Sequence, residues 1–172
     1  MIQIKNAAEL QKMRKACAIS AAALKAGGEA IEPGITTAEI DKIIYDFIVR
    51  HGARPNFLHL YGFPATACIS VNDTVIHGIP NKQQQIRPGD IVSIDTGCKI
   101  DGFNGDNACT YACGKIDLEA QRLLDVTKES LHRGIEMARG GNRVGDIGHA
   151  VQSYVEENGF SVVRTFVGHG VG

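Results

Sequence analysis

Apolar positions recur at three-to-four-residue spacing in four stretches of this chain, and at alternate positions in the stretch between the second and third. That order predicts helix, helix, sheet, helix, helix. The first stretch, NAAELQKMRKACAISAAALKAGG, opens on Asn6 with Glu9 three residues on. There an N-cap side chain and a carboxylate at the third helical position satisfy each other's free backbone N–H groups. Leu10, Met13, Cys17, Ala21 and Leu24 form its expected apolar face. The second stretch, PGITTAEIDKIIYDFIVRHG, repeats the device with Thr36 and Glu39, buries Ile40, Ile43, Ile44, Phe47 and Ile48, and stops at Gly52. From about Cys68 to Cys113 the pattern turns β-like. ACISVNDTVIHGIP reads as two strands around an Asn72-Asp73 turn, GDIVSIDTG as another, and an Asp101-Gly102 turn leads into NGDNACTYAC. Helices resume in DLEAQRLLDVTKESLHRGIEMARGG and VGDIGHAVQSYVEENG, and FSVVRTFVG predicts a last short strand.

The second helical pair looks like a copy of the first. A shift of 107 positions lays Gly141 on Gly34, Ile147 on Ile40, Val151 on Ile44, Tyr154 on Phe47 and Gly159 on Gly52, with Glu136 on Glu29. Turn, buried stripe and terminal glycine agree in one register, which indicates a duplicated α/β unit. In the first copy about 60 residues of β-structure follow Gly52, whereas 13 residues follow Gly159. The expected organisation is one incomplete domain over residues 1–172, with residues 1–114 as a first half and 115–172 as the start of a second.

Composition narrows the function classes. A chain of 172 residues is the size of one domain. Its formal net charge of −1 gives no electrostatic reason to expect nucleic acid or an anionic membrane as partner. No apolar run approaches a bilayer span, and the charged start lacks the apolar core of a secretion signal. Five cysteines, an odd number, read as reduced thiols of a cytoplasmic protein. Cys109 and Cys113, four apart with no second pair, are expected to be packing residues.

The chemistry lies in a few polar residues in apolar settings. Asp95 interrupts the strand IVSIDTG, where a bare carboxylate is costly to bury unless paired, protonated or metal-bound. A hairpin at Asp101-Gly102 brings Asp106 close to opposite Asp95 on the neighbouring strand. Two facing carboxylates repel unless a cation or a shared proton lies between them; the alternative is that each ends a strand or caps a turn. His169, bracketed by glycines in FVGHGVG, is either a structural residue or an imidazole donor. With the two aspartates it would suit Mn²⁺, Fe²⁺, Co²⁺ or Zn²⁺. His77, at a strand end in TVIHGIP, is either a solvated surface group or a donor to a substrate carbonyl or developing oxyanion.

The segments GFPATACISVNDTVIHGIP, GDIVSIDTG, DGFNGD and GFSVVRTFVGHGVG, in this order, resemble the type I methionine aminopeptidases from about Ile4 to the last residue. The resemblance implies a pita-bread (creatinase/aminopeptidase-like) α+β fold: two pseudo-two-fold-related α/β halves around a dinuclear metal site. It implies hydrolytic removal of the initiator methionine from nascent chains whose next residue is small. By the same resemblance Asp95 and Asp106 are metal ligands, the latter bridging, and His169 is the histidine ligand. His77 contacts the substrate, and Phe63 and Cys68 line the methionine pocket. A cytoplasmic, ribosome-associated encounter with its substrate and a monomeric complete enzyme are further implications.

Three departures qualify the match. His59 and Leu60 stand where the family shows Gly-Tyr, which alters one pocket wall, and Asn104 replaces a histidine of DGFHGD. The family takes two glutamate ligands from beyond its GHG segment, and no residue here corresponds to them. The expectation is an amino-terminal portion of such an enzyme, inactive by itself. A non-catalytic peptide-binding module of the same fold and a prolidase- or creatinase-like relative remain as alternatives.

Overall fold

The computed structural model describes residues 3–171. Two compact units make up the chain: Met1–Ile116 with Gly170–Gly172, and Asp117–His169.

The first unit begins with helices α1 (Ala7–Glu29) and α2 (Thr37–Arg50). Both form the capping boxes their sequences predict, at Asn6 with Glu9 and at Thr36 with Glu39. A four-stranded antiparallel sheet follows, of β1 (Arg54–Pro55), β2 (Ala67–Val71), β3 (Ile91–Ile100) and β4 (Phe103–Ala112). β3 is central. β4 pairs with it from end to end, while β2 pairs with Val92–Thr96 and β1 with Cys98 and Lys99.

Alternation sorts the two faces. Val92, Ile94, Thr96 and Cys98 are fully buried on one of them, with Ala67, Ile69 and Val71 as β2 partners. This face joins Ala23, Leu24, Ile40, Ile44 and Ile48 of the helices in a single core. The other face carries Cys68, Ser70, Ser93, Asp95, Asn104, Asp106 and Thr110.

The stripe predicted for α2 is observed, with Ile40, Ile44 and Ile48 at 0% exposure. The face predicted for α1 is observed only in part: Leu24 is buried and Met13 and Cys17 are half-buried. Leu10 and Ala21 are exposed, and the buried residues are Ala16, Ser20, Ala23, Leu24, Gly27 and Gly28. Small residues are selected because the helix backbone lies almost in contact with its neighbours. A Cβ on Gly28 would sit 2.2 Å from the Tyr111 ring, and one on Gly105 of β4 would sit 2.4 Å from the Ala16 carbonyl oxygen.

Two predicted strands are absent. After the Asn72 turn the return segment bonds to β2 through Thr74 N–H to the Val71 carbonyl (3.1 Å) and Ile69 N–H to the Gly78 carbonyl (2.9 Å), without forming a ladder. His77 has φ 58°, and a left-handed residue cannot continue an extended strand. Residues 160–168 form no strand either, since a strand needs a neighbour's ladder and none pairs with them among the described residues. Cys113 is buried as expected, but Cys109 is exposed.

The second unit pairs α3 (Leu118–Met137) with α4 (Val144–Glu157). The 107-residue shift maps α2 onto α4 at both ends. It also maps their contacts. A Cβ on Gly27 would lie 2.7 Å from Ile44, and one on the equivalent Gly134 would lie 2.9 Å from the equivalent Val151. Thr36 N–H bonds to the Glu39 carboxylate and Arg143 N–H to that of Asp146, again equivalent positions. Ser20, Leu24 and Gly28, on the buried face of α1, correspond to Thr127, Leu131 and Ile135, of which Leu131 and Ile135 are each 58% exposed. No helix among the described residues is long and apolar enough to cross a membrane.

Asp41 ties α2 to the start of β2. One carboxylate oxygen accepts from the backbone N–H groups of Thr66 (2.9 Å) and Ala67 (2.8 Å), both buried. Burial raises its pKa above the ordinary carboxylate value, against the lowering pull of the Ala67 and Thr66 N–H groups.

Urea unfolding tests these contacts. Gly105→Ala, which drives a methyl into backbone, should cost about 3 kcal/mol. Gly102→Ala, which meets open space at φ 86°, should cost about 1 kcal/mol. Asp41→Ala strands two buried N–H groups and should cost about 2–4 kcal/mol, whereas Asp41→Asn keeps an acceptor oxygen and should cost less. The sign of the pH effect follows from the raised pKa. Between the unfolded and folded values the native state holds the proton more tightly, so stability falls as pH rises through that window. That part of the pH dependence should vanish in Asp41→Asn.

Candidate metal centre

The β3–β4 hairpin positions both carboxylates. Asp101 (φ 53°) and Gly102 (φ 86°) form its two-residue turn, and Lys15 of α1 holds the Asp101 carboxylate at 2.7 Å. This turn pairs Ile100 with Phe103, Gly97 with Asp106 and Asp95 with Ala108. Asp95 and Asp106 therefore share a face but are diagonal rather than opposite neighbours. Such positions lie roughly 7 Å apart at the backbone, within reach of a common ion for two side chains.

Gly97, on the same face, lets the Asn56 amide and the Phe57 ring lie against the strand beside the carboxylates. A Cβ there would meet the Gly105 carbonyl oxygen at 3.1 Å, Asn56 Nδ2 at 3.2 Å and the Phe57 ring at 3.3 Å. Asn56 is anchored by its own backbone N–H, which donates to the Gly97 carbonyl at 2.9 Å. Asn56 and Phe57 are thus residues beside the carboxylates that sequence reading did not single out. They sit in no motif, and only the pairing of β1 with β3 brings them here.

Cys68 is the β2 partner of Asp95 and is buried. Its thiol is pushed up to about 12, first by burial and then by the charges of Asp95, Asp106 and Asp41. Both hairpin carboxylates thus act on the same spot. Further along this face, the Ser93 and Thr110 hydroxyls bond to each other at 2.8 Å.

Phe63, half-buried, closes a tight loop. His59 N–H donates to its carbonyl (2.8 Å), its own N–H donates to Leu60 (2.9 Å), and His59, Tyr61 and Gly62 all have positive φ. His77 is exposed and precedes Gly78, whose N–H donates to Ser70 Oγ at 3.1 Å. A Cβ on Gly78 would lie 2.1 Å from the Ile69 carbonyl oxygen, so the His77 segment is pressed against β2 at a point only glycine fits. His169 lies in the exposed irregular segment after α4. Two residues on, the Val171 carbonyl accepts from Asn104 Nδ2 of β4 at 3.3 Å.

Among the described residues, no three His, Cys, Asp or Glu side chains gather closely enough to hold a metal. The hairpin does supply two half-buried carboxylates on one face with mutually reinforcing negative potential, a hard-oxygen donor set that fits a divalent cation.

Comparison with known proteins agrees with this chemistry. The chain is 52% identical to a methionine aminopeptidase of Clostridium perfringens and 46% identical to methionine aminopeptidase 1 of Bacillus subtilis, in each case over its whole length and 69% of the relative's. The crystal structure of methionine aminopeptidase from Rickettsia prowazekii superposes with a TM-score of 0.96 at 39% identity, covering 99% of this chain and 68% of that one. The prolidase of Pyrococcus furiosus shares the fold at a TM-score of 0.78 and 22% identity, over 91% of this chain and 44% of that one. The fold these structures share is the pita-bread architecture. A family model describing metallopeptidase family M24 matches residues 11–172, nearly the whole chain, and the chain belongs to that metal-dependent family.

Proposed function

We propose that this chain carries the substrate pocket and three metal ligands of an aminopeptidase that removes amino-terminal methionine from newly made proteins. The observation that carries the reading is the diagonal pair Asp95 and Asp106, in a chain 52% identical to a methionine aminopeptidase. The much lower identity to prolidase, 22%, favours methionine over proline substrates.

In this reading Asp95, Asp106 and His169 would hold divalent metal, with Co, Mn, Fe and Zn as the candidates and two ions in the complete centre. Bound metal supplies Lewis-acid polarisation of the scissile carbonyl and a water acidic enough to act as nucleophile near neutral pH. The protein's own residues do the rest. The ladder register keeps both carboxylates on one face, and Gly97 admits Asn56 and Phe57 beside them. Cys68 and Phe63 would line the pocket for an unbranched thioether side chain, and burial keeps the Cys68 thiol protonated. His77, held by the Gly78 contact with β2, serves as the donor to the substrate carbonyl. The substrate is a peptide beginning with methionine and a small residue. Encounter at the ribosome, a cytoplasmic location and a monomeric complete enzyme belong to the same reading.

Two carboxylates and a neutral imidazole offset only half the charge of two dications, so hydrolysis calls for further carboxylate ligands. Calorimetric titration of the 172-residue chain with Co²⁺ or Mn²⁺ should show binding, and Asp95→Asn or Asp106→Asn should weaken it at least about tenfold. Unchanged affinity in the double variant would refute the ligand assignment. Incubation with Met-Ala-Ser and either metal should release no methionine from these residues alone. Metal-dependent release would show that the three ligands suffice.

A further inference from the structure

Two thiols of the first unit meet where α1 lies against the sheet. Cys98 is fully buried on the helix-facing side of β3, opposite Gly105 of β4. Its Sγ donates to the Ala16 carbonyl at 3.5 Å. That carbonyl belongs to the peptide bond leading into Cys17, so fixed peptide geometry puts the Cys98 sulfur within roughly 6 Å of the Cys17 Cα. Gly105 permits the approach, since a Cβ there would meet the Cys17 nitrogen at 2.6 Å. Cys17 itself is half-buried, and solvent reaches it. Burial first, and then the charge of Cys17, pushes the Cys98 thiol up to about 11. No other thiol competes for Cys98. Cys68 faces the opposite side of the sheet beside Asp95, and Cys109 pairs with Ile94, roughly 13 Å along the ladder.

We propose that Cys17 and Cys98 are a modification site, an oxidisable pair that a peroxide converts into an intramolecular disulfide tying α1 to β3. The Cys17 thiolate attacks a peroxide oxygen, the O–O bond breaks, and water or an alcohol leaves, so that Cys17 becomes a sulfenic acid. The Cys98 sulfur then attacks the Cys17 sulfur. The S–S bond forms, the S–O bond breaks, and the hydroxyl leaves with the Cys98 proton as water. Two electrons pass from the thiol pair to the peroxide. Buried Cys98 holds little thiolate near neutral pH, so the first attack falls to Cys17 and Cys98 acts second, on a sulfur already beside it. The bond closes a loop of about 80 residues and so restricts the unfolded chain.

Hydrogen peroxide treatment of the reduced 172-residue chain, followed by blocking of free thiols with N-ethylmaleimide and non-reducing tryptic mass spectrometry, tests the pair. A linked peptide joining residues 16–25 to residues 83–99 should appear, short of the two masses combined by two hydrogens and reversed by dithiothreitol. The oxidised chain should melt at least about 5 °C above the reduced one. Cys17→Ser should lose both effects and leave Cys98 reduced. Cys98→Ala should stop at the first step, with Cys17 labelled by dimedone as the sulfenic acid.

Cys17 and Cys98 both still free after peroxide would overturn the proposal, as would oxidation confined to Cys109. A linked peptide that forms only in urea, or an oxidised chain that melts no higher than the reduced one, would overturn it by showing that the native packing does not hold the two sulfurs together. Cys98 oxidised as fast in Cys17→Ser, or Cys17 unlabelled in Cys98→Ala, would overturn the roles assigned to the two thiols.

Discussion

The ladder between β3 and β4 decides which way each carboxylate faces, because side chains alternate along a strand and a slip of one residue exchanges the faces. In the observed register Val92, Ile94, Thr96 and Cys98 meet the helices, while Ser93, Asp95 and Gly97 do not. Slipped by one, Asp95 would enter the core beneath α1 and Ile94 would take its place on the polar face. The same hydrophobic burial that stabilises the sheet therefore fixes the candidate site. The turn at Asp101 and Gly102, with Lys15 bound to Asp101, closes the hairpin where that register begins.

Close backbone approach is the second constraint. Gly28 and Gly105 let α1 lie against the sheet, and Gly27 lets α1 and α2 cross at Ile44. Gly134 and Val151 repeat that crossing 107 residues later, with α2 and α4 each 14 residues long and the same backbone-to-carboxylate contact at their starts. The duplication is thus one of packing geometry as well as of sequence. In the second unit Gly134 and Ser130, matching Gly27 and Ala23, stay buried, whereas Leu131 and Ile135, matching Leu24 and Gly28, are exposed.

What was legible in the sequence depended on how local its cause was. Capping boxes and the α2 stripe depend on residues three and four apart, and both were readable. The face of α1 was legible only in part, since the periodicity of large apolar residues does not mark Ala16, Ser20, Gly27 and Gly28, which are buried for their small size. The strand after Asn72 was expected from alternating apolar residues, but the left-handed backbone at His77 is a tertiary outcome tied to the contact of Gly78 with β2. The aspartates were expected nearly opposite each other; the two-residue turn pairs Asp95 with Ala108, which a strict count from Ile100 and Phe103 gives. Asn56 and Phe57 reach Gly97 only through the pairing of β1 with β3, which no local pattern announces.

Anomalous scattering tests most directly whether the polar face of this hairpin holds a divalent cation. Crystals grown with Mn²⁺ and measured at the manganese absorption edge should show a peak bounded by the carboxylates of Asp95 and Asp106. A peak confined to other residues, or none beside this pair at saturating Mn²⁺, would contradict the account.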